Sequence, residues 1–249
     1  MSWVAYEADL CDDLAAVARL QAAIDDLRPR ALDVRSITII LLSYYALQDV
    51  PGGLAMNAKD EQKERSHETI LESASRLLRE KGISGARVAD VMKGAGMTVG
   101  GFYAHFGSKD ELIDGALRQT AERMRERLFA RLDEKPASVR AEVILKRYLS
   151  VAHRDETLRG CPLPAVVGEI GTTAAEHRPV LAEEIGTLAT RLEEHLPTPR
   201  EGVSPRYLAL ALIALMYGGL SMARALRGTE MSEEVLRACR AVGKLAVTA

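Results

Sequence analysis

Three helix boundaries follow one another closely between residues 82 and 111, and they restrict the fold of this part of the chain. Gly82 follows a segment with helical periodicity, Gly96 lies in a turn, and Ser108 with Glu111 forms a capping box. Two short helices joined by a tight glycine turn, with a longer helix before them, make a helix-turn-helix unit. The spacing therefore predicts a small three-helix domain that presents its second short helix outward.

The second short helix contains two adjacent glycines, Gly100 and Gly101, close to Phe102 and Phe106. Each glycine costs about 1 kcal/mol relative to alanine inside a helix, so helix formation alone does not favour them. The two phenylalanines are four residues apart and can anchor the inner face. The glycines indicate that another molecule approaches the backbone closely, and a DNA strand at the major groove is one candidate. An ordinary helical hairpin is the alternative interpretation.

Composition favours a helical protein, because alanine and leucine are frequent and aromatic residues make up only 4% of the 249. The formal net charge of −2 excludes a chain that is basic throughout. Three widely separated cysteines provide neither a disulfide framework nor a CxxC metal pair, which fits a reducing cytoplasm. We therefore expect an all-α, cytoplasmic protein.

The common catalytic and cofactor-binding motifs do not occur in this sequence. It contains no GxSxG, HExxH or GK[ST] motif, and its five histidines are scattered. The glycines from Gly94 to Gly100 loosely match a dinucleotide-binding pattern, but the residues before them are helical in pattern, whereas that chemistry needs a strand. Cys161 is interpreted as a packed, unreactive thiol rather than a redox group. We predict no enzyme activity, no metal site and no cofactor.

A Pro-Gly-Gly break at residues 51–53, followed by a charged run, marks the clearest boundary in the chain. Residues 1–57 remain unassigned, and we expect them to be dispensable or not translated, with Met56 as the alternative start.

A second feature is the uncharged run 207–223, which is at the lower limit for a membrane span. Its glycines favour a helix buried in a protein interface, and a membrane-associated helical protein is a distant alternative.

Residues 70–117 resemble the DNA-binding domain of the tetracycline-repressor (TetR) family of regulators. The most specific match is the string Tyr-x-His-Phe-x-Ser-Lys at 103–109. Other matching positions are Ile70, Ala74, Gly82, Val88, Val91, Ala95 and Gly96. The resemblance implies a DNA-binding domain at 64–124, with its helix-turn-helix at 87–106, and an effector-binding and dimerisation domain at 125–249.

The resemblance also implies a set of DNA-contacting residues and a recognition helix at about 98–106. Tyr103, His105 and Lys109 fall on positions that usually grip phosphates. Val99 and Gly101 replace commoner polar residues, so direct reading of bases is expected to be limited and DNA shape to matter more. The complete set of expected DNA contacts is Arg87, Ala89, Thr98, Val99, Gly100, Gly101, Tyr103, His105 and Lys109.

By the same resemblance, the protein is expected to be a homodimeric, ligand-responsive regulator of transcription, most simply a repressor that binds near-palindromic double-stranded DNA. Its last two long helices would form the dimer interface, with Gly218, Gly219 and Ser221 packed against the twin helix. The abundance of leucine, alanine and methionine in residues 119–225 predicts a largely apolar pocket for a hydrophobic or aromatic effector. A regulator without an effector, or an activator, has the same sequence features.

Overall fold

The computed structural model describes residues 58–156, 160–197 and 202–248. The unassigned segment 1–57 and its alternative start at Met56 lie outside these residues. Every regular element in the described ranges is helical, which confirms the predicted all-α fold.

The N-terminal part consists of a long helix, two short helical segments and a second long helix. These are α1 (Ala58–Gly85), α2 (Val88–Gly94), a 3-10 helix (Val99–Ala104) and α3 (Lys109–Phe129). The C-terminal part contains α4 (Ala137–Tyr148), α5 (Val151–Asp155), α6 (Leu163–Thr172), a 3-10 turn (Ala175–His177), α7 (Arg178–Glu193), α8 (Pro205–Ala225) and α9 (Glu230–Val247).

Two of the predicted helix boundaries are confirmed by the backbone. Gly82 has φ = +70°, a conformation that L-residues with side chains rarely adopt, and it interrupts the helical geometry of α1. At the start of α3, Ser108 Oγ accepts a hydrogen bond from the Glu111 N–H at 3.0 Å. The Glu111 carboxylate in turn accepts one from the Gly107 N–H at 2.7 Å, which completes a reciprocal cap.

The second short helix is shorter than the expected recognition helix at 98–106. It is a 3-10 helix that ends at Ala104 rather than a helix reaching Phe106, and Thr98 precedes it without a capping hydrogen bond from its side chain. Short pieces of chain commonly adopt 3-10 geometry, and two glycines lower the stability of the α-helical alternative. Thr98 is consequently exposed and its hydroxyl has no role in the cap.

One hydrophobic core joins the N-terminal helices to part of the C-terminal region. Ile70 and Leu78 of α1 pack with Phe102 and Leu112 in this core, and all four are almost completely buried. Val166 and Ile170 of α6 belong to the same core, together with residues near the start of α7. Because α6 packs here, a movement of α6 would act directly on the helix-turn-helix.

A second core surrounds α8, the uncharged run of the sequence. Within the described residues, α8 is the one helix long and apolar enough to cross a membrane by length and composition. Its inner residues Leu212, Met216 and Leu220 are buried in a cluster with residues of α4, α7 and α9. Helix α8 therefore packs as a core helix, and other helices of the protein cover one of its faces.

One glycine of α8 has a different role from the predicted one. A Cβ atom at Gly219 would lie 2.8 Å from Cys239 Sγ and 3.0 Å from a methyl of Leu149. Gly219 therefore faces inward and permits close packing with α9 and the end of α4, so its predicted contact with a twin helix is wrong. A Cβ at Gly218 would meet nothing within 4 Å.

Candidate functional site

The outer side of the recognition segment, Val99–Ala104, is open at its backbone. A Cβ atom at Gly100 would have no neighbour within 4 Å, and one at Gly101 would meet only Met92 Cε at 3.9 Å. Neither glycine has a positive φ, so nothing within the described residues requires a glycine at either position. Val99 is 51% exposed and Tyr103 is 77% exposed beside them.

The inner side of the same segment is anchored as predicted. Phe102 is 1% exposed, Phe106 is 3% exposed, and their ring centroids are 5.8 Å apart in a stacked arrangement. Phe106 also stacks on His67 of α1, with a centroid distance of 4.4 Å. These contacts hold the segment from behind, so its outer surface is displayed on a rigid support.

Two of the expected phosphate contacts, Lys109 and His105, are influenced by neighbouring groups of the fold. Lys109 Nζ donates a hydrogen bond to the Ile83 carbonyl at 3.2 Å, but a lysine ammonium has three donors and can still reach a phosphate. Burial lowers the pKa of His105, and the nearby His67 and Lys63 lower it further. His105 is therefore suited to a neutral hydrogen bond with a phosphate rather than to an ion pair.

The remaining expected contacts are at the surface of the two short helices. Arg87 is exposed at the N-cap position of α2, where it makes no side-chain cap, and Ala89 is exposed in the first turn. Thr98 and Gly100 are exposed, and Gly101 is partly buried.

The segment that contains this surface is similar to known bacterial regulatory proteins. Residues 70–116 match the family described as bacterial regulatory proteins, tetR family. The HTH-type transcriptional repressor KstR2 of Mycobacterium tuberculosis is 41% identical over 49 residues, which cover 20% of this chain. The helix-turn-helix of this chain is similar to that of TetR-family regulators. The matched segment spans about a quarter (24%) of the length of KstR2, so the likeness to KstR2 concerns the helix-turn-helix.

Solved structures of TetR proteins share the whole fold. A TetR regulator from Chloroflexus aurantiacus has a TM-score of 0.59 at 27% identity and covers 74% of this chain and 95% of its own. A TetR-family protein from Rhodococcus sp. has a TM-score of 0.62 at 18% identity and covers 74% of this chain and 100% of its own. At such low identity the second likeness concerns the fold alone.

A carboxylate of α6 binds the end of α1, a contact that sequence reasoning missed. Glu169 Oε1 accepts a hydrogen bond from the Ile83 N–H, and Oε2 accepts one from the Ser84 N–H, both at 2.8 Å. The Ser84 hydroxyl donates to Oε2 as well. A Cβ at Gly82 would overlap Glu169 Oε1, so a glycine is needed there for space as well as for backbone conformation. We name this contact, made by Gly82, Ile83, Ser84 and Glu169, the α1–α6 clasp.

The charge of Glu169 is retained in the α1–α6 clasp. Burial by itself would raise the pKa of this carboxyl group. Hydrogen bonds from Ser84 and Ile83, with the positive charge of Lys109 nearby, outweigh burial and lower the pKa below its ordinary value. Because the folded-state pKa is lowered, the clasp contributes stability at neutral pH and loses it as the pH falls through that pKa.

A pocket of about 380 Å³ lies between α3, α4 and α5 in the C-terminal part. We name it the inner pocket. Met124, Leu128 and Tyr148 give it an apolar wall, but Arg127, Arg147, His153 and Glu156 also line it. The lining is therefore more polar than the largely apolar pocket that the composition predicted.

A network of hydrogen bonds fixes the polar wall of the inner pocket. His153 Nε2 accepts a hydrogen bond from the Cys161 N–H at 3.0 Å, so Nδ1 carries the proton and donates to the Tyr148 carbonyl at 2.7 Å. Arg224 donates to the carbonyl oxygens of His153 and Cys161. Burial raises the pKa of the Cys161 thiol, which fits the prediction of a packed, unreactive cysteine.

One group of side chains could offer ligands to a cation. Within the described residues, ligand atoms of Asp110, Glu176 and His177 lie within 4.8 Å of one another. His177 is buried and its Nδ1 is 2.7 Å from Asp114 Oδ1. This hydrogen bond already gives His177 a structural role, because it joins the first turns of α3 to the start of α7.

An exposed apolar surface runs along α8 and α9. On α9 the outer residues recur at alternating spacings of four and three, which is the spacing of a helix seam. We name the combined face of the two helices the α8–α9 seam. Its members that are exposed or partly buried include Tyr207, Leu210, Ala214 and Met222 on α8 and Met231, Val235, Ala238, Val242 and Leu245 on α9.

Proposed function

We propose that this protein is a homodimeric transcriptional regulator that binds near-palindromic double-stranded DNA and leaves it when a small molecule binds. The observation that carries the proposal is the open backbone at Gly100 and Gly101, held from behind by Phe102 and Phe106. Its position in a TetR-family helix-turn-helix supports contact with the major groove. The match to a repressor, KstR2, favours repression over activation.

A dimer is supported by the α8–α9 seam. Exposed apolar residues that recur along a helix at spacings of four and three mark an interaction surface. A two-fold axis through the seam would bring four helices together and place two recognition segments on one side of the dimer. Gly218, with open space above it, allows the twin helix to approach closely.

Effector control is supported by the inner pocket and the α1–α6 clasp together. The inner pocket lies between the helices of the C-terminal part, and the clasp connects that part to the end of α1. A ligand that binds one position of α6 more tightly than another would shift the protein toward that position and would move the recognition segment with it. The size of the shift depends on the ratio of the ligand's affinities for the two positions. A regulator without an effector would contain the clasp but would need no pocket.

Changes at Tyr103 and Lys109 test the proposed DNA contacts. Tyr103→Phe and Lys109→Ala are expected to weaken binding to specific and random duplex alike, because phosphate contacts carry affinity but no sequence information. Lys109→Ala should also reduce the slope of log affinity against log salt concentration by about one. Gel shifts with DNA flanking the protein's own gene, at several salt concentrations, measure both effects.

The control for this test is Lys146→Ala, which removes an exposed lysine of α4 that is neither an expected DNA contact nor a member of the α8–α9 seam. It should leave DNA binding unchanged. An unaltered salt slope for Lys109→Ala would contradict the phosphate role of that lysine and would leave the Ile83 hydrogen bond as its function.

The α1–α6 clasp is testable by combining two substitutions. Gly82→Ala forces a side chain into a left-handed backbone, at about 1–2 kcal/mol, and displaces the Glu169 carboxylate. Glu169→Ala leaves the Ile83 and Ser84 amides without their acceptor, at about 1–3 kcal/mol. Since both changes break the same contact, their effects on the free energy of unfolding should be non-additive by about 0.5–3 kcal/mol. Chemical denaturation of both single variants and the double variant measures this coupling, and simple additivity would refute the clasp.

A further inference from the structure

A second cavity, of about 760 Å³, adjoins the inner pocket and shares Arg127 and Glu156 with it. Its walls come from α1, the end of α2, α3 and the residue after α5. The charged residues that line it are Arg76, Arg79, Arg123 and Arg127 against Glu72 and Glu156. We name it the arginine cleft, since four positive side chains face two negative ones.

The arginine cleft has an excess of positive charge, because four arginines and two glutamates line it. Arg123 is 3.5 Å from Glu72, and Arg79 donates to Thr120 Oγ1 at 3.3 Å. Arg79 Nε is nevertheless buried without a hydrogen-bond partner among the described residues. Burial lowers the pKa of Arg79, and the like charges of Arg127 and Arg123 lower it further. An anion in the arginine cleft would relieve this repulsion.

Helix α3 links the two cavities in a way that suits a single extended ligand. Met124 and Leu128 face the inner pocket. Arg123, which directly precedes Met124, faces the arginine cleft. Arg127 lines both cavities. A molecule lying along α3 would therefore place an apolar part beside Met124 and Leu128 and an anionic part beside the arginines.

We propose that the effector is an amphipathic molecule whose apolar part occupies the inner pocket and whose multiply charged, phosphate-bearing headgroup occupies the arginine cleft. The proposal rests on the proposed function, in which this protein responds to a small molecule. A single carboxylate would use one or two of the four arginines and little of the 760 Å³. Phosphate groups match guanidinium geometry, and several of them match the number of arginines.

This position gives the headgroup a direct route to the DNA-binding part. Arg76 and Arg79 belong to α1, whereas Arg123 and Arg127 belong to α3. A headgroup held by both pairs would fix the relative positions of the two helices. The ligand would then favour one arrangement of the recognition segments without touching the DNA.

A series of probes with one tail and different heads tests the proposal. Decanol, decanoate, decyl phosphate and decanoyl-coenzyme A are titrated into the full-length protein by calorimetry below their aggregation concentrations. Decyl phosphate is expected to bind at least about tenfold more tightly than decanol, because charge-assisted hydrogen bonds are the strong ones. Decanoyl-coenzyme A distinguishes a nucleotide-type head from a simple phosphate. Binding of either decanoyl-coenzyme A or decyl phosphate more tightly than decanol supports the proposal.

Two variants locate the headgroup. Arg76→Met keeps much of the side-chain length at an exposed position and should lower the affinity for decyl phosphate about tenfold while leaving decanol binding unchanged. Arg118→Met is the matched control, because Arg118 lies on α3 but pairs with Glu183 outside the arginine cleft. It should leave all four affinities unchanged.

Several results would overturn the proposal. These are equal affinities across the series, absence of binding by any probe, and equal losses in the Arg76→Met and Arg118→Met proteins. A loss of DNA binding by Arg76→Met in the absence of probe would assign that arginine to DNA instead. DNA affinity measured in parallel keeps the proposed function separate: tight decyl phosphate binding without DNA release supports the arginine cleft and refutes effector control.

Discussion

Replacement of Gly101 by leucine is expected to abolish most specific DNA binding while the protein remains folded and dimeric. The site has room for a side chain, since only Met92 Cε lies within 4 Å of the added Cβ position. A leucine there would separate the helix backbone from the groove. If the loss at each half-site resembles one mismatched base pair, at about 1–3 kcal/mol, the two half-sites together lose about 2–6 kcal/mol, which is about thirtyfold or more in affinity.

The companion change Gly101→Ala distinguishes two explanations for this glycine, which are close approach of DNA and a structural requirement of the fold. Alanine should leave the melting temperature unchanged or raise the stability by about 0.5–1 kcal/mol, because Gly101 has no positive φ to preserve. A structural requirement for glycine predicts instead that both substitutions lower the melting temperature. Melting temperature and gel-shift affinity of both variants decide the matter, and full-strength specific binding by a well-folded Gly101→Leu dimer would refute close approach of DNA.

Insertion of a charge into the α8–α9 seam should have the other large effect. Val242 is 57% exposed in the single chain and lies within the apolar spacing on α9. In a two-fold interface Val242→Glu buries an unpaired carboxylate on each subunit, at about 3–5 kcal/mol each. The dimer should dissociate at micromolar concentrations, and the monomers should retain only weak, single half-site binding to DNA.

Size-exclusion chromatography with light scattering measures the oligomeric state, and gel shifts measure the accompanying loss of affinity. Val139→Glu is the matched control, since Val139 is an exposed valine on α4 that is not a member of the α8–α9 seam. It should leave both the mass and the DNA affinity unchanged. A stable Val242→Glu dimer with normal DNA binding would place the subunit interface elsewhere.

Features that depend on neighbours a few residues away were determined by the sequence itself. The all-α composition, the helix stop at Gly82 and the cap formed by Ser108 and Glu111 are confirmed by the structure. The anchors Phe102 and Phe106 are confirmed as well. Helix propensity, capping and i,i+4 contacts act over less than two turns, so a local pattern contains enough information to predict them. The TetR resemblance was equally local, because it rests on residues 70–117.

Features that join distant segments were decided only by the tertiary structure. Glu169 binds Ile83 and Ser84 across more than eighty residues, and nothing near Glu169 in the sequence marks it as a partner of α1. Gly218 and Gly219 are adjacent and chemically identical, yet one faces outward and the other faces Cys239, because the rotation of α8 in its packing decides which face is buried. The arginine cleft likewise gathers side chains from α1 and α3. Helix crossing angles and rotations follow from the packing of whole faces, so single positions could not reveal these contacts.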